Sequence, residues 1–287
     1  MTPTGDRSTL RRLAGTRRLQ LLAIVAAGAC AAIAIGLKPG DLMLSHGGWQ
    51  LVKRFLAAAF VPALDYEVES LPAGTPSFLT TLALAGWRTV AFAAAAISIA
   101  LPAGIVLGVL ASTRLQCEAL PFGRLANGFI CWTVRILTAL ARSIHELLWA
   151  VLFLAAVGLS NFAAVLAIAI PYSGVLAKVF SEMIDEASRG PADTLKASGA
   201  TGLQTFAFGI LPQALPDMLA YTCYRFECAL RSSVVLGFFG IPTLGYHLHL
   251  AFAESHYRET WSCLYALAAL VVFVDWWSGA MRRRLVG

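Results

Sequence analysis

A chain of 287 residues that is 58% hydrophobic and 13% charged, with a mean hydropathy of +0.71, does not belong to the soluble globular class. The net charge of +6 would suit a nucleic-acid binder, but the positions of the cations argue against it. Arg7, Arg11, Arg12, Arg17 and Arg18 precede the first apolar run, and Arg282, Arg283 and Arg284 follow the last, as membrane topology requires.

A helix crosses the hydrocarbon core with about 20 mostly apolar residues. The first such run is Leu19–Leu37. Its arginine-rich flank resembles a signal peptide, but the run is long and Gly36-Leu37-Lys38-Pro39 is a poor cleavage site, so a retained helix is expected. From there to Thr80 runs an external segment with Pro39, His46-Gly47-Gly48, a short amphipathic helix over Leu51–Val61 and an acidic loop over Asp65–Pro76. Residues 1–80 therefore form a tail, first helix and external segment, and residues 81–287 the core. The second run, Trp87–Ala111, opens with Arg88, which is read as snorkelling or structural. Arg124–Ser143 carries Arg124, Arg135 and Arg142 on an apolar background and reads as a helix partly in the interface, leading into the third run, Ile144–Leu159. The turn Gly158-Leu159-Ser160-Asn161 reverses the chain. The fourth run, Phe162–Phe180, then leads to a polar island, and Met218–Phe239 and Trp261–Ala280 complete the set.

These runs predict an all-α polytopic membrane protein of about six transmembrane helices. Alternating ten-residue strands, the mark of an outer-membrane barrel, are absent. Six crossings put both termini on one side, with Ser112–Arg124 and the island. That side then holds twelve Lys and Arg in its connecting segments, against Lys38, Lys53, Arg54 and Arg258 on the other. The excess marks the cytoplasmic side.

Catalytic signatures are missing. There is no G-x-x-x-x-G-K-[ST] and no G-x-S-x-G, and His145-Glu146 is followed at the second ligand position of H-E-x-x-H by Trp149. Six cysteines without a C-x-x-C pair read as small buried hydrophobes, not as a disulfide or metal set. No cofactor and no metal are expected. A charge at mid-bilayer costs about 2.5–3.5 kcal/mol, so such residues face a cavity or pair. Arg142 with Glu146, and Glu227 with Arg231, stand four residues apart and suit pairing on a helical face, whereas Arg135 and Arg225 have no local partner. Arg142, Arg225, Glu227 and Arg231 are candidates for a solute pathway; the other reading is interfacial snorkelling or structural pairs that fix packing, which Glu227 with Arg231 suits better. Gly237-Phe238-Phe239-Gly240-Ile241-Pro242 reads as close helix packing or as a gate.

The island Asp185–Pro212 is the most informative segment. Glu186, Arg189, Asp193 and Lys196 fall at helical spacing, Gly199 breaks the helix, and a second short segment ends at Leu211-Pro212. Such a compact protrusion is a handle for a soluble partner.

Asp193-Thr194-Leu195, Gly199 and Leu211-Pro212 resemble the cytoplasmic loop of membrane subunits of bacterial ABC importers: E-A-A, three residues, Gly, nine residues, Ile, one residue, Leu-Pro. Asp193 stands for the usual Glu, and Gly209 for the Ile, with Ile210 one place on. Leu211–Pro216, Tyr221–Glu227 and Arg231–Gly237 are similar to phosphonate-type permeases, as is Ala141–Leu159, so the resemblance covers Ala141 to Gly245. It implies a permease subunit, with no ATP hydrolysis of its own, that imports phosphonate or a related oxyanion such as phosphite or phosphate. The coupling loop would be 182–212, with Glu186, Asp193, Thr194, Leu195, Gly199, Leu211 and Pro212 carrying the ATPase contact. Implied partners are a cytoplasmic ABC ATPase subunit, an external or periplasmic solute-binding protein, a second permease copy in a homodimer, and the lipid of the bacterial inner membrane. Another solute, such as an amino acid or organic cation, and a membrane scaffold remain the alternatives.

Overall fold

The computed structural model describes residues 7–38, 40, 46–68, 74–118 and 124–286; for 7–17, 46, 116–118, 124 and 285–286 this means the backbone only. Pro39, the middle of the acidic loop at 69–73 and the stretch 119–123 of the predicted inside loop lie outside the described residues. The chain divides into two compact units, Met1–Ala57 and Ala58–Gly287. Within the first, α1 (Arg7–Ile35) has no buried residue in its apolar window Arg18–Ile35. The predicted amphipathic helix is present as α2 (His46–Ala59), beginning five residues earlier than expected.

The second unit is built around α3 (Phe78–Ala111) and α7 (Asn161–Glu186), which share the largest helix interface. The buried stripe of α3 is small: Ala93, Ala96, Ala100, Gly104 and Gly108 recur every three or four residues. A Cβ on Gly104 would lie 2.6 Å from Leu176 Cβ, and one on Gly108 2.9 Å from Phe180 Cβ. Small residues let the backbones approach, which drives helix association where lipid offers no hydrophobic gradient. Leu176 and Phe180 of α7 are fully buried against this stripe, and Ile184 is fully buried one turn further on.

After α4 (Thr113–Glu118), the segment read as an interfacial helix is α5 (Arg124–Ser143) and the third predicted span is α6 (Glu146–Val157), set at 88° to it. Twelve residues at 1.5 Å each make α6 too short to cross alone. His145 caps α6, its Nδ1 accepting from the Leu147 amide at 3.3 Å. The break corrects one expectation. Arg142 and Glu146 lie on different helices, so their four-residue spacing does not put them on one face, and no ion pair joins them.

Beyond α7 come α8 (Gly190–Ala197), α9 (Gly202–Gln204) and a π-helical turn over Thr205–Ile210. Next follow α10 (Leu211–Val235), a 3-10 turn over Leu236–Phe239, α11 (Leu244–Ala253) and α12 (Tyr257–Val286). The segment up to Phe239 bends 45° into α11, which the apolar runs did not anticipate. The bend rests on glycine: a Cβ on Gly237 would collide with the backbone of Gly245 and Tyr246, and one on Gly245 with the Val234 carbonyl. Close packing is thus the structural role of the Gly237–Gly245 cluster. Among the described residues, four helices are long and apolar enough to cross a membrane, or up to six with each bent pair as one span.

Candidate functional site

Two local expectations for the island change. Glu186 is the last residue of α7 and Arg189 the N-cap of α8, so Glu186, Arg189, Asp193 and Lys196 do not share one helix. Pro212 lies in the first turn of α10 and does not end the preceding segment; proline needs no amide partner in a first turn, so the residue suits the start of a helix.

Helix α8 is the exposed centre of the loop. Pro191 lies in its first turn with Asp193, and Lys196 in its last, each charge on the favourable end of the helix dipole. Its end is a Schellman arrangement: the Gly199 amide donates to Lys196 O at 3.0 Å and the Ala200 amide to Leu195 O at 3.0 Å. Gly199 has φ +85°, and a Cβ there would meet nothing within 4 Å, so backbone conformation requires the glycine, not crowding. Asp193, Thr194 and Gly199 are exposed, and Leu195 is half-buried.

The other face of α8 lies on the return leg. Ala192 is buried, and a Cβ on Gly209 would sit 3.0 Å from Ala192 Cα and 3.1 Å from Leu195 Cδ1. Gly209, the departure from the importer pattern, is where the two segments cross, while Ile210 beside it is fully buried. Thr201 and Gln204 form a capping box at the start of α9: Thr201 N donates to Gln204 Oε1 at 2.9 Å and Gln204 N to Thr201 Oγ1 at 3.4 Å. Gln213 Nε2 donates to Ser188 O at 3.2 Å and also to Gly209 O, tying α10 to both legs. Leu211 is half-buried and Pro212 exposed.

A polar knot fixes the root of the loop. Asp185 accepts from Ser112 Oγ at 2.7 Å and from the Arg114 amide at 3.2 Å, and Arg135 stands 3.6 Å from its other oxygen. The Arg114 guanidinium donates to the carbonyls of Asp185 and Ala187. Arg135, which has no partner nearby in sequence, finds one fifty residues on. Neither Asp185 nor Arg114 stands out in the sequence, because the signal is tertiary.

The intramembrane charges do not form one cluster. Glu227 and Arg231 pair along α10, with the Glu227 side chain 8% exposed and Arg231 60%. Arg225, the other cation without a local partner, donates from Nε to Tyr221 OH at 2.7 Å and stacks on the rings of Tyr221 and Tyr224. Arg142 closes the last turn of α5, exposed and with no ion pair among the described residues. Sequence reasoning missed a three-helix network. Ser232 Oγ donates to Glu146 Oε1 at 2.9 Å and shares a 3.0 Å hydrogen bond with Tyr172 OH, joining α6, α7 and α10. Among the described residues no group of acidic, His and Cys side chains is arranged to hold a metal.

Comparison with known proteins sets this geometry in a family. The family model described as binding-protein-dependent transport system inner membrane component matches residues 100–287. The chain is 30% identical over 195 residues to the phosphite transport system permease protein PtxC of Stutzerimonas stutzeri, covering 68% of each chain. It is 26% identical over 225 residues to the phosphate-import permease protein PhnE of Mycolicibacterium smegmatis, covering 78% of this chain but 41% of that one. Among solved structures it is similar to an amino acid ABC transporter determined with histidines (TM-score 0.59, 18% identity, 73% of this chain and 99% of that one). It is also similar to the inward-facing MetNI methionine ABC transporter (TM-score 0.58, 21% identity, 73% of this chain and 98% of that one). These two likenesses establish the shared fold.

Proposed function

We propose that this chain, which belongs to the family of binding-protein-dependent transport system inner membrane components, carries phosphonate, phosphite or phosphate inward. It is a non-catalytic permease subunit of an ABC importer, with ATP hydrolysis on a separate chain. The 30% identity to a phosphite permease over two thirds of both chains carries the solute class. The likeness to amino acid transporters reaches the fold only and does not favour that solute.

In this reading α8 is the contact for the ATPase subunit. Asp193, Thr194 and Gly199 present its exposed face; Leu195, Leu211 and Pro212 connect that face to α10; and Glu186 closes the helix that feeds it. ATP binding closes the ATPase pair, draws two copies of α8 together and rocks the bundles to open the pathway outward; hydrolysis reverses the motion. Two ATPase subunits imply two copies of this chain, with the pathway on their two-fold axis. Arg142, Arg225 and Arg231 are cations suited to an oxyanion along that route, and Glu227 holds Arg231. Both termini lie in the cytoplasm, and the binding protein delivers solute at the opposite face.

The test is ATP hydrolysis by the reconstituted complex of this chain, its ATPase and its binding protein. Phosphonates, phosphite, phosphate, amino acids and quaternary amines are compared as stimulants. Stimulation by phosphorus oxyanions alone is expected. Stimulation by another class would overturn the solute, and failure of the ATPase to associate would overturn the coupling role.

A further inference from the structure

A second set of cations lies where α5 and α7 approach the loop. Arg135, Thr138 and Arg142 occupy successive turns of α5, and Lys178, Ser181 and Glu182 the penultimate turns of α7. Their side chains line a cavity of about 230 Å³ that reaches Ala111 at the end of α3. The helices meet closely beside it, since a Cβ on Gly174 would lie 2.8 Å from Thr138 O, which fixes the separation of the two backbones that carry these side chains.

The charges in this cavity do not cancel. Lys178 pairs with Glu182, and Arg135 leans on Asp185 at 3.6 Å while its Nε donates to Ala111 O at 3.1 Å. Arg142 has neither an ion pair nor a hydrogen bond from its guanidinium among the described residues. Three cations thus face one carboxylate in the lining, with Asp185 outside it. A water occupies about 30 Å³ of liquid, so the cavity has room for a tetrahedral oxyanion but not for a nucleotide or a peptide. A guanidinium holds two oxygens of such an ion at once, and an ammonium adds a point charge beside it.

We infer that this cavity is a binding site for a phosphorus oxyanion, with Arg142 as the principal ligand, Lys178 and Arg135 as supporting cations, and Glu182 as the internal competitor that leaves Lys178 when the anion enters. The same chemistry is offered by a free phosphonate, phosphite or phosphate and by the headgroup of an anionic phospholipid, since basic pockets between helices near one membrane face take such headgroups. The free-solute arm rests on the importer reading; the lipid arm does not. In either case the site lies one to two turns of α7 from the root of the loop, at Asp185.

The experiment uses the purified complex with its ATPase. Binding of inorganic phosphate and of methylphosphonate is measured by calorimetry in detergent. Retention of phosphatidylglycerol against phosphatidylcholine is measured by native mass spectrometry. Arg142→Gln is expected to weaken whichever ligand binds by tenfold or more, Arg142→Lys to recover part of it, and Glu182→Gln to tighten binding several-fold. Because Arg142 and Glu182 are exposed, these variants are expected to fold, and unchanged co-purification with the ATPase checks it. Weakened binding of the free anions places solute in the cavity; weakened lipid retention alone assigns it to a headgroup. If neither ligand responds to Arg142→Gln and Glu182→Gln, the site does not exist. An importer that proves specific for another solute, yet keeps the Arg142-dependent lipid, separates failure of the solute reading from failure of the site.

Discussion

At the scale of single residues, Gly199 and Gly209 need glycine for different reasons, and the difference is measurable. Gly199 lies in the left-handed region with open space around it. Gly199→Asn is expected to leave transport near wild type, because asparagine tolerates that region. Gly199→Val destabilises the end of α8 by about 1–2 kcal/mol. Its readout is faster amide exchange over residues 190–200 and lowered ATP-dependent uptake; equal exchange in both variants would show that the cap does not depend on φ. Gly209 lies outside the left-handed region but is crowded by Ala192 and Leu195. Gly209→Ile brings the chain closer to the importer pattern yet is expected to displace α8 and reduce co-purification of the ATPase. Undiminished co-purification would contradict the packing described above. The distinction was only half legible in the sequence. A glycine closing a polar helix announces its conformation, whereas a glycine that makes room for another segment looks like an ordinary departure from a pattern.

At the scale of elements, the apolar runs located most helices and some of their boundaries but not the angles between them. The polar stretch Arg142–Glu146 marks where α5 ends, yet its 88° turn into α6 is not written in composition, because the His145 cap and the packing of each helix set the direction. Arg135 and Arg225 looked unpartnered for a related reason. Arg135 is satisfied by Asp185 on another helix, and Arg225 by tyrosine rings and a hydroxyl, which carry no charge to search for. The island, by contrast, was legible as a polar segment with a glycine stop, though its proline served the start of α10. Gln213 is the residue that joins these pieces. Gln213→Leu removes its two hydrogen bonds at roughly 0.5–1.5 kcal/mol each. Amide exchange across 188–200 is expected to quicken several-fold while α3 and α7 stay protected; unchanged exchange would mean that packing at Gly209 alone secures the loop.

At the scale of the molecule, the cation asymmetry makes a topological prediction. In a cysteine-free background, Ser198→Cys and Glu254→Cys are compared with a membrane-impermeant thiol reagent applied to intact cells. Glu254→Cys, on the turn between α11 and α12, is expected to label from outside, and Ser198→Cys only after lysis. The reverse pattern would invert the chain and remove α8 from the reach of any cytoplasmic ATPase. With α8 on the cytoplasmic side, the crossing at Gly209 has a mechanical meaning. Levers joined through long side chains have play, because rotamers absorb the first ångström of any push. Here Ala192 backbone rests on a residue with no side chain, immediately before α10 begins. A displacement of α8 therefore has almost no slack to take up before it moves a helix that continues into the bundle.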